Sequence, residues 1–173
     1  NPARLPRWRG FNLDSKFQKD WQGPFPEQDF DWMKAWGFDF VRLPMDYRCW
    51  TGPADPYVLK EAPLKEIDDA VRYGRERGIH VNIAFHRAPG YTVASPPEKL
   101  YLWKEEEPLK QFCFQWASFA RRYKGIPSSQ VSFNLVNEPA MVSAEDYLRV
   151  ATAAVKAIRE VDPDRLIIAD GRD

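Results

Sequence analysis

The sequence predicts an α/β protein in which parallel strands alternate with helices, as in part of a (β/α)8 barrel. Four segments carry the helical apolar period, and each lies beside a short β-branched or aromatic run. Right-handed crossovers between such strands produce a parallel sheet, either open or closed. No G-x-G-x-x-G or G-x-x-x-x-G-K-S/T pattern follows any of these runs, which disfavours an open nucleotide-binding sheet. A barrel is therefore preferred.

The first half of the chain is predicted to contain three strands and two helices. The predicted strands are residues 8–13, 38–43 and 79–85, and the predicted helices are residues 26–36 and 63–78. Gly37 follows the first helix and Gly78 ends the second, positions where glycine commonly ends a helix. One face of the second helix is apolar and comprises Leu64, Ile67, Ala70, Val71 and Gly74.

The second half begins with a long loop, residues 86–107, whose length and prolines indicate a functional segment. A helix with a heavy apolar face follows at residues 109–123, and then a strand at 131–137. Ser143 and Asp146 form a capping-box-like start for a helix that extends to Val161. A fifth strand is predicted at residues 166–169. Because a complete barrel takes about 250 residues, five strands and four helices predict an incomplete one.

Composition excludes several classes of function. The 173 residues include 25 basic and 25 acidic side chains, so no broad positive field favours nucleic acid. No apolar run approaches the roughly 18 residues that span a bilayer, so no membrane association is expected. The chain has only two cysteines and two histidines, and we expect neither a metal site nor a cofactor. Cys113 lies on an apolar helical stripe, which favours a buried free thiol over a disulfide or a nucleophile.

Polar residues recur at the carboxyl ends of the predicted strands, the edge where parallel α/β proteins bind ligands. They are Asn12, Asp14, Arg42, His86, Asn137, Glu138 and Asp170. Glu138 stands out because a carboxylate between an apolar strand and Pro139 suits a cleft better than a core. Low-dielectric walls around it would raise its pKa and make it a general acid. Asn137 offers both a donor and an acceptor for a hydroxyl group.

Four motifs in order resemble glycoside hydrolase family 5, the cellulase-type retaining glycosidases of the (β/α)8 superfamily. They are the opening RGFNL with Asn12, FVRLP with Arg42, FHRAPGY with His86, and Asn137-Glu138-Pro139 after an aromatic strand. The resemblance covers the whole chain and implies that residues 1–173 are the amino-terminal part of one catalytic domain. It also implies that Glu138 is the acid/base, that Asn137 contacts the sugar 2-hydroxyl, and that Arg42 and His86 position the carboxylates and substrate.

A retaining glycosidase also needs a nucleophilic carboxylate about 5 to 5.5 Å from the acid/base, which the family supplies from strand seven. Asp14 and Asp170 match no family position and are not nominated. The resemblance therefore implies hydrolysis of β-1,4-glycosidic bonds in polysaccharides, with this chain supplying the acid/base only and inactive alone. The specific β-glycan stays open. By the same resemblance, an extracellular or periplasmic location is expected.

The expected partners are a β-glucan or oligosaccharide substrate and the carboxyl-terminal half of the barrel, or a second copy of the chain. A cut barrel should expose its edge strands and much of an inner apolar layer. Trp50, Tyr91 and Trp103, with Asn12, are the nominated substrate-binding residues, and Tyr47 is a further stacking candidate; packing against the barrel rim is the alternative for the aromatic residues. Trp32, Trp36 and Trp116 are expected in the core.

Two other functions stay open at this point. A non-catalytic carbohydrate-binding or scaffold protein would keep the cleft and lack turnover. An open α/β enzyme with unrelated chemistry is disfavoured, because the chain has neither a nucleotide loop nor a nucleophile elbow.

Overall fold

The computed structural model describes residues 5–21, 23–52 and 54–172. They form one sheet of five parallel strands in the order β1-β2-β3-β4-β5, with helices between them. The strands are β1 (Gly10–Asn12), β2 (Phe40–Asp46), β3 (His80–Arg87), β4 (Val131–Asn134) and β5 (Leu166–Ile168). The helices are α1 (Glu27–Ala35), α2 (Glu61–Arg77), α3 (Glu106–Arg122) and α4 (Ala144–Arg159). The predicted five strands and four helices are confirmed.

The main differences from the predicted boundaries occur at strand ends. β4 stops at Asn134, three residues before the predicted end, because the following backbone leaves the ladder. Leu135 N–H donates to Ile168 O at 3.0 Å, whereas Asn137 N–H donates to Phe85 O at 2.9 Å, back toward β3. β2 continues to Asp46, beyond the predicted Leu43. Pairing with the neighbouring strand decides these ends, and local sequence does not.

The hydrophobic core lies between the sheet and the helices. Side chains alternate along each strand, so Val41, Leu43 and Phe85 are buried against the helical layer. Trp116 of α3 stacks on Phe85 with ring centroids 4.2 Å apart and is fully buried, as predicted. The predicted apolar face of α2 is buried in full. Ser143 caps α4 by accepting a hydrogen bond from Asp146 N–H, which confirms the predicted start.

The opposite face of the sheet is polar on its central strands, and the prediction of an apolar inner layer is wrong there. His80 Nε2 shares a 2.7 Å hydrogen bond with Ser132 Oγ, which also accepts from Asn82 Nδ2 at 2.9 Å. These side chains are buried and hydrogen-bonded to one another, so burial does not leave them unpaired. The His80 ring also stacks on Trp8, with centroids 3.9 Å apart.

Trp32 and Trp36 of the first helical segment do not lie in the core. Their side chains are 50% and 65% exposed, and the two rings stack with centroids 6.4 Å apart. The buried stripe of α1 is formed instead by Phe30 and Met33. A nine-residue helix on a sheet buries one stripe only, and apolar spacing alone did not distinguish the two sets.

Both cysteines are free thiols, which confirms the expected state of Cys113 but not its expected full burial. Cys49 is buried, whereas Cys113 is only partly buried on α3. Burial raises the pKa of Cys113 to about 11, so its thiolate is scarce at neutral pH. Neither thiol therefore resembles an activated nucleophile.

Candidate active site at the carboxyl edge of the sheet

The polar residues predicted to end the strands lie at one edge of the sheet. Asn12 is exposed at the end of β1 and pairs in register with Arg42. His86 lies near the end of β3, and Asn137 and Glu138 follow β4. The charge of Glu138 acts on both Arg42 and His86, so these groups are neighbours. The clustering expected from sequence is therefore present; the roles of its members stay predictions.

Arg42 is the centre of the hydrogen-bond network at this edge. Its neighbours Val41 and Leu43 are buried toward the helices, so alternation directs Arg42 to the opposite face of the sheet. Its Nε donates to Asn134 Oδ1 at 3.1 Å, and its Nη2 donates to Asn137 Oδ1 at 2.9 Å. Burial lowers the pKa of Arg42, while the carboxylates of Asp170, Glu138 and Asp14 oppose that shift. Arginine stays charged throughout the physiological range.

Asn134 and Asp170 continue the network from Arg42 to the backbone of Glu138. Asn134 Nδ2 donates to Asp170 Oδ1 at 2.7 Å, and Asp170 Oδ2 accepts from Glu138 N–H at 3.1 Å. Asn134 was not predicted as a site residue. The sequence did contain a signal for it: Asn134 comes two residues after Ser132, so both side chains lie on the strand face opposite the buried Val131 and Phe133. Asp170, rejected as a nucleophile, has a structural role here because it binds the main chain.

Glu138 lies in a turn with unusual backbone geometry. Its φ is +46° and that of Met141 is +53°, both in the left-handed region that residues with a Cβ rarely adopt. The Tyr91 hydroxyl donates to Glu138 O at 2.5 Å and accepts from Ala140 N–H at 2.7 Å. The Glu138 side chain is exposed. The expectation of low-dielectric walls around this carboxyl group is therefore wrong for the described residues, which leave it open to solvent.

His86 is a neutral, oriented side chain in this cluster. Burial, and then the charge of Arg42, lower the pKa of His86, while Glu138, Asn137 and Asp14 oppose the shift. The imidazole is therefore mainly uncharged at pH 7 and can both donate and accept a hydrogen bond. Its ring packs on Phe17, with centroids 4.0 Å apart. Asn137 lies beside this imidazole, and its Nδ2 is buried without a hydrogen bond of good geometry among the described residues.

The three aromatic residues nominated for sugar stacking are buried, and that nomination is corrected. Trp50 and Trp103 are fully buried, and Tyr91 is only 7% exposed. Trp50 packs against Phe85 and donates its Nε1–H to Gln115 Oε1 at 2.7 Å. Large aromatic rings gain most by leaving water, so the long loop folds them inward. Tyr47, the further candidate, is partly buried and donates its hydroxyl to Glu98 at 2.9 Å.

An exposed aromatic residue that sequence reasoning missed lies near the cluster. Trp21 is 48% exposed, and its ring is 5.9 Å from Phe17, the residue that packs on His86. No local motif marks Trp21, because a loop gives no periodic signal. A groove beside the turn that contains Met141 is lined by Val93, Leu100 and Tyr101 as well. The edge thus offers exposed apolar surface beside its polar cluster.

The part of the chain that the structure describes contains no feature for metal binding or membrane insertion. Residues 5–21, 23–52 and 54–172 contain no group of three or more His, Cys, Asp or Glu side chains that could hold a metal ion. None of the helices among these residues is long and apolar enough to cross a bilayer.

Comparison with known proteins decides the family. A family model described as cellulase, glycosyl hydrolase family 5, matches residues 2–173. The chain belongs to glycosyl hydrolase family 5. It is similar to the crystal structure of a mutant form of Thermotoga maritima Cel5A in complex with cellobiose, at 25% identity and a TM-score of 0.78 over 96% of the chain. It is also similar to the crystal structure of a glycoside hydrolase, at 35% identity and a TM-score of 0.89 over 94% of the chain.

The family 5 chain spans about half the length of the proteins it matches. It covers 52% of the glycoside hydrolase structure and 51% of the Thermotoga maritima structure. It is 28% identical to Endoglucanase C of Acetivibrio thermocellus over 147 residues, which are 85% of this chain and 42% of that protein. The five strands and four helices therefore match an incomplete (β/α)8 barrel, as predicted.

Proposed function

We propose that this chain carries the acid/base of a retaining glycosidase that hydrolyses β-1,4-glycosidic bonds in polysaccharides. The observation that carries the proposal is the position of Glu138. Its carboxyl group is exposed in a hydrogen-bonded turn, at the same edge as Arg42, His86 and Asn137. Membership of the cellulase family and similarity to an endoglucanase support a β-glucan as the substrate.

In the proposed reaction, Glu138 protonates the glycosidic oxygen as the leaving group departs and later deprotonates the attacking water. Asn137, which accepts a hydrogen bond from Arg42 and lies beside His86, is proposed to donate from its Nδ2 to the sugar 2-hydroxyl. Arg42 holds Asn137 Oδ1 and so fixes the orientation of the amide. Asn12 and Trp21 are the exposed side chains at this edge that we propose as further sugar contacts.

The second carboxylate of this mechanism is proposed to come from outside residues 1–173. A retaining enzyme needs it about 5 to 5.5 Å from the acid/base. Asp170, a near neighbour, is engaged by Asn134 Nδ2 and Glu138 N–H. A carboxylate that binds the backbone of the acid/base is poorly placed to attack a sugar. The coverage of only 52% of a related structure supports an origin in the remaining half of the barrel.

Glu138→Gln tests the catalytic proposal in the protein that contains this chain. The amide keeps the size of the side chain but cannot transfer the proton, so we expect kcat on carboxymethyl cellulose to fall by about 10² to 10⁴. Binding of cellotetraose, measured calorimetrically with the variant, should stay within about twofold. Glu160→Gln, at an exposed helix end, is the matched control and should retain full activity.

Two outcomes would contradict the proposal. Full activity of Glu138→Gln would remove Glu138 from the chemistry. If the unmodified protein bound cellotetraose but did not hydrolyse it, the non-catalytic carbohydrate-binding hypothesis would replace the enzyme.

We also propose that the carboxyl-terminal half of the barrel packs against both flanks of this chain. Within the described residues, β1 and β5 each pair with a single strand. Trp32 on α1 and Trp36 directly after it are exposed, and Leu148 is 66% exposed on α4. Open strand edges beside exposed apolar helix faces are typical of surfaces that another element covers.

A further inference from the structure

The backbone of Glu138 is held by side chains from two other parts of the fold. Asp170, after β5, accepts a hydrogen bond from Glu138 N–H at 3.1 Å. Tyr91, in the loop after β3, donates its hydroxyl to Glu138 O at 2.5 Å and accepts from Ala140 N–H at 2.7 Å. Both polar groups of the Glu138 main chain are thus bound by side chains outside its own turn.

The turn requires such support because its conformation is unfavourable. Glu138 at φ +46° and Met141 at φ +53° adopt the left-handed region within four residues. A strained backbone persists only when its surroundings fix it. Since the backbone torsions of Glu138 set the direction of its Cα–Cβ bond, the contacts to its N–H and C=O also set where the carboxyl group can reach.

Tyr91 is itself rigidly placed, so it can act as a fixed support. Its ring packs edge-on against the fully buried Trp103, with centroids 4.8 Å apart. Its main chain forms two 3.0 Å hydrogen bonds with Ala88, across a tight turn with Gly90 at φ +75°. A Cβ at Gly90 would also lie 2.8 Å from Leu102 N, which keeps the loop closely packed.

We propose that Tyr91 is a positioning residue for the acid/base Glu138, acting through the main chain together with Asp170. The inference rests on the proposed function and reassigns Tyr91 from sugar stacking to the alignment of the proton donor. Without the hydroxyl, the turn loses the group that joins Glu138 O to Ala140 N–H, and the carboxyl group samples positions away from the glycosidic oxygen. A small displacement of a reacting group is enough to slow proton transfer.

Tyr91→Phe in the protein that contains this chain tests the inference with two substrates. Cellotetraose has a poor leaving group that needs protonation, whereas dinitrophenyl β-cellobioside has a leaving group that departs without it. We expect kcat/KM for cellotetraose to fall by about 10- to 100-fold and kcat/KM for the dinitrophenyl substrate to stay within about threefold. Tyr57→Phe, which removes a surface hydroxyl contact to Glu107, is the matched control and should leave both values unchanged.

The outcomes separate this inference from the proposed function. If Glu138→Gln abolishes hydrolysis of cellotetraose but Tyr91→Phe does not reduce it, the positioning role is wrong and the catalytic role stands. If Tyr91→Phe reduces kcat/KM equally for both substrates, the hydroxyl supports folding in general and the inference is overturned. If Glu138→Gln retains full activity, the proposed function itself fails.

Discussion

At the residue scale, the candidate site consists of polar side chains whose hydrogen bonds lead to one carboxyl group. Arg42 binds Asn134 and Asn137, and Asn134 binds Asp170, which in turn holds the backbone of Glu138. Buried polar groups are costly unless they are paired, so this connected arrangement also stabilises the edge. The hydrogen bonds that pair these polar side chains therefore also orient the groups proposed for catalysis.

The burial of Trp50 changes what its replacement should do. Trp50 is fully buried, packs against Phe85 and Phe119, and hydrogen-bonds to Gln115. Trp50→Ala should therefore destabilise the fold by about 3 to 5 kcal/mol, rather than selectively weaken oligosaccharide binding. The free energy of unfolding in urea is the measurement.

The control for Trp50 is an exposed apolar side chain on the same stretch of chain. Val58 is 60% exposed, and Val58→Ala should change stability by no more than about 0.5 kcal/mol. A stable Trp50→Ala variant with a large loss of oligosaccharide affinity would restore the stacking role and contradict its placement in the core.

At the element scale, helix and strand positions followed from periodicity, whereas the joining segments followed from tertiary contacts. The apolar face of α2 was predicted directly from the spacing of its residues. The end of β4 and the turn after it depended on contacts to β3, β5 and Tyr91, which are distant in the sequence. Another set of long-range contacts, made by Arg165, joins several elements at the opposite end of the sheet.

Arg165 is a fully buried guanidinium that ties together α3, β4 and the segment before β5. It pairs with Asp162 at 2.7 Å and donates to the carbonyl oxygens of Val131, Tyr123 and Ile126. Arg165→Met would leave Asp162 without its partner and would remove the hydrogen bonds from the guanidinium to three main-chain carbonyl groups. We expect a loss of about 3 to 5 kcal/mol in the free energy of unfolding, measured by urea denaturation.

The control for Arg165 is Arg75, whose Nε donates to Gln130 at the exposed surface. Arg75→Met should alter stability by about 0.5 kcal/mol or less. Equal effects of the two variants would mean that the buried network contributes nothing beyond a surface contact.

At the scale of the whole molecule, the described residues form a five-stranded sheet whose two edge strands, β1 and β5, each pair with one neighbour. Trp32 and Trp36 lie on one flank and Leu148 on the other. The inner face, expected to be apolar, carries buried polar residues on β3 and β4. The drive for association is therefore expected to come from the helix flanks and strand edges rather than from the inner face.

Size-exclusion chromatography with light scattering tests this at the level of the isolated chain. We expect the 20.2 kDa chain to elute as a larger, self-associated species, because open edges and exposed indoles favour pairing. Replacing Trp32 and Trp36 together by Lys should shift the equilibrium toward monomer. A wild-type chain that remains a soluble monomer at high concentration would contradict the need for a partner.

The sequence by itself determined the alternation of strands and helices, the buried helix faces and the polar residues that gather at the carboxyl edge. It could do so because periodicity and strand-end position are local properties, and parallel strands bring their ends to one edge. Only the tertiary structure decided that Trp50 and Trp103 are buried, that Trp32 and Trp36 are exposed, and that Tyr91 and Asp170 hold Glu138. These outcomes depend on which distant segments meet, and contacts between distant segments leave no periodic mark in the sequence.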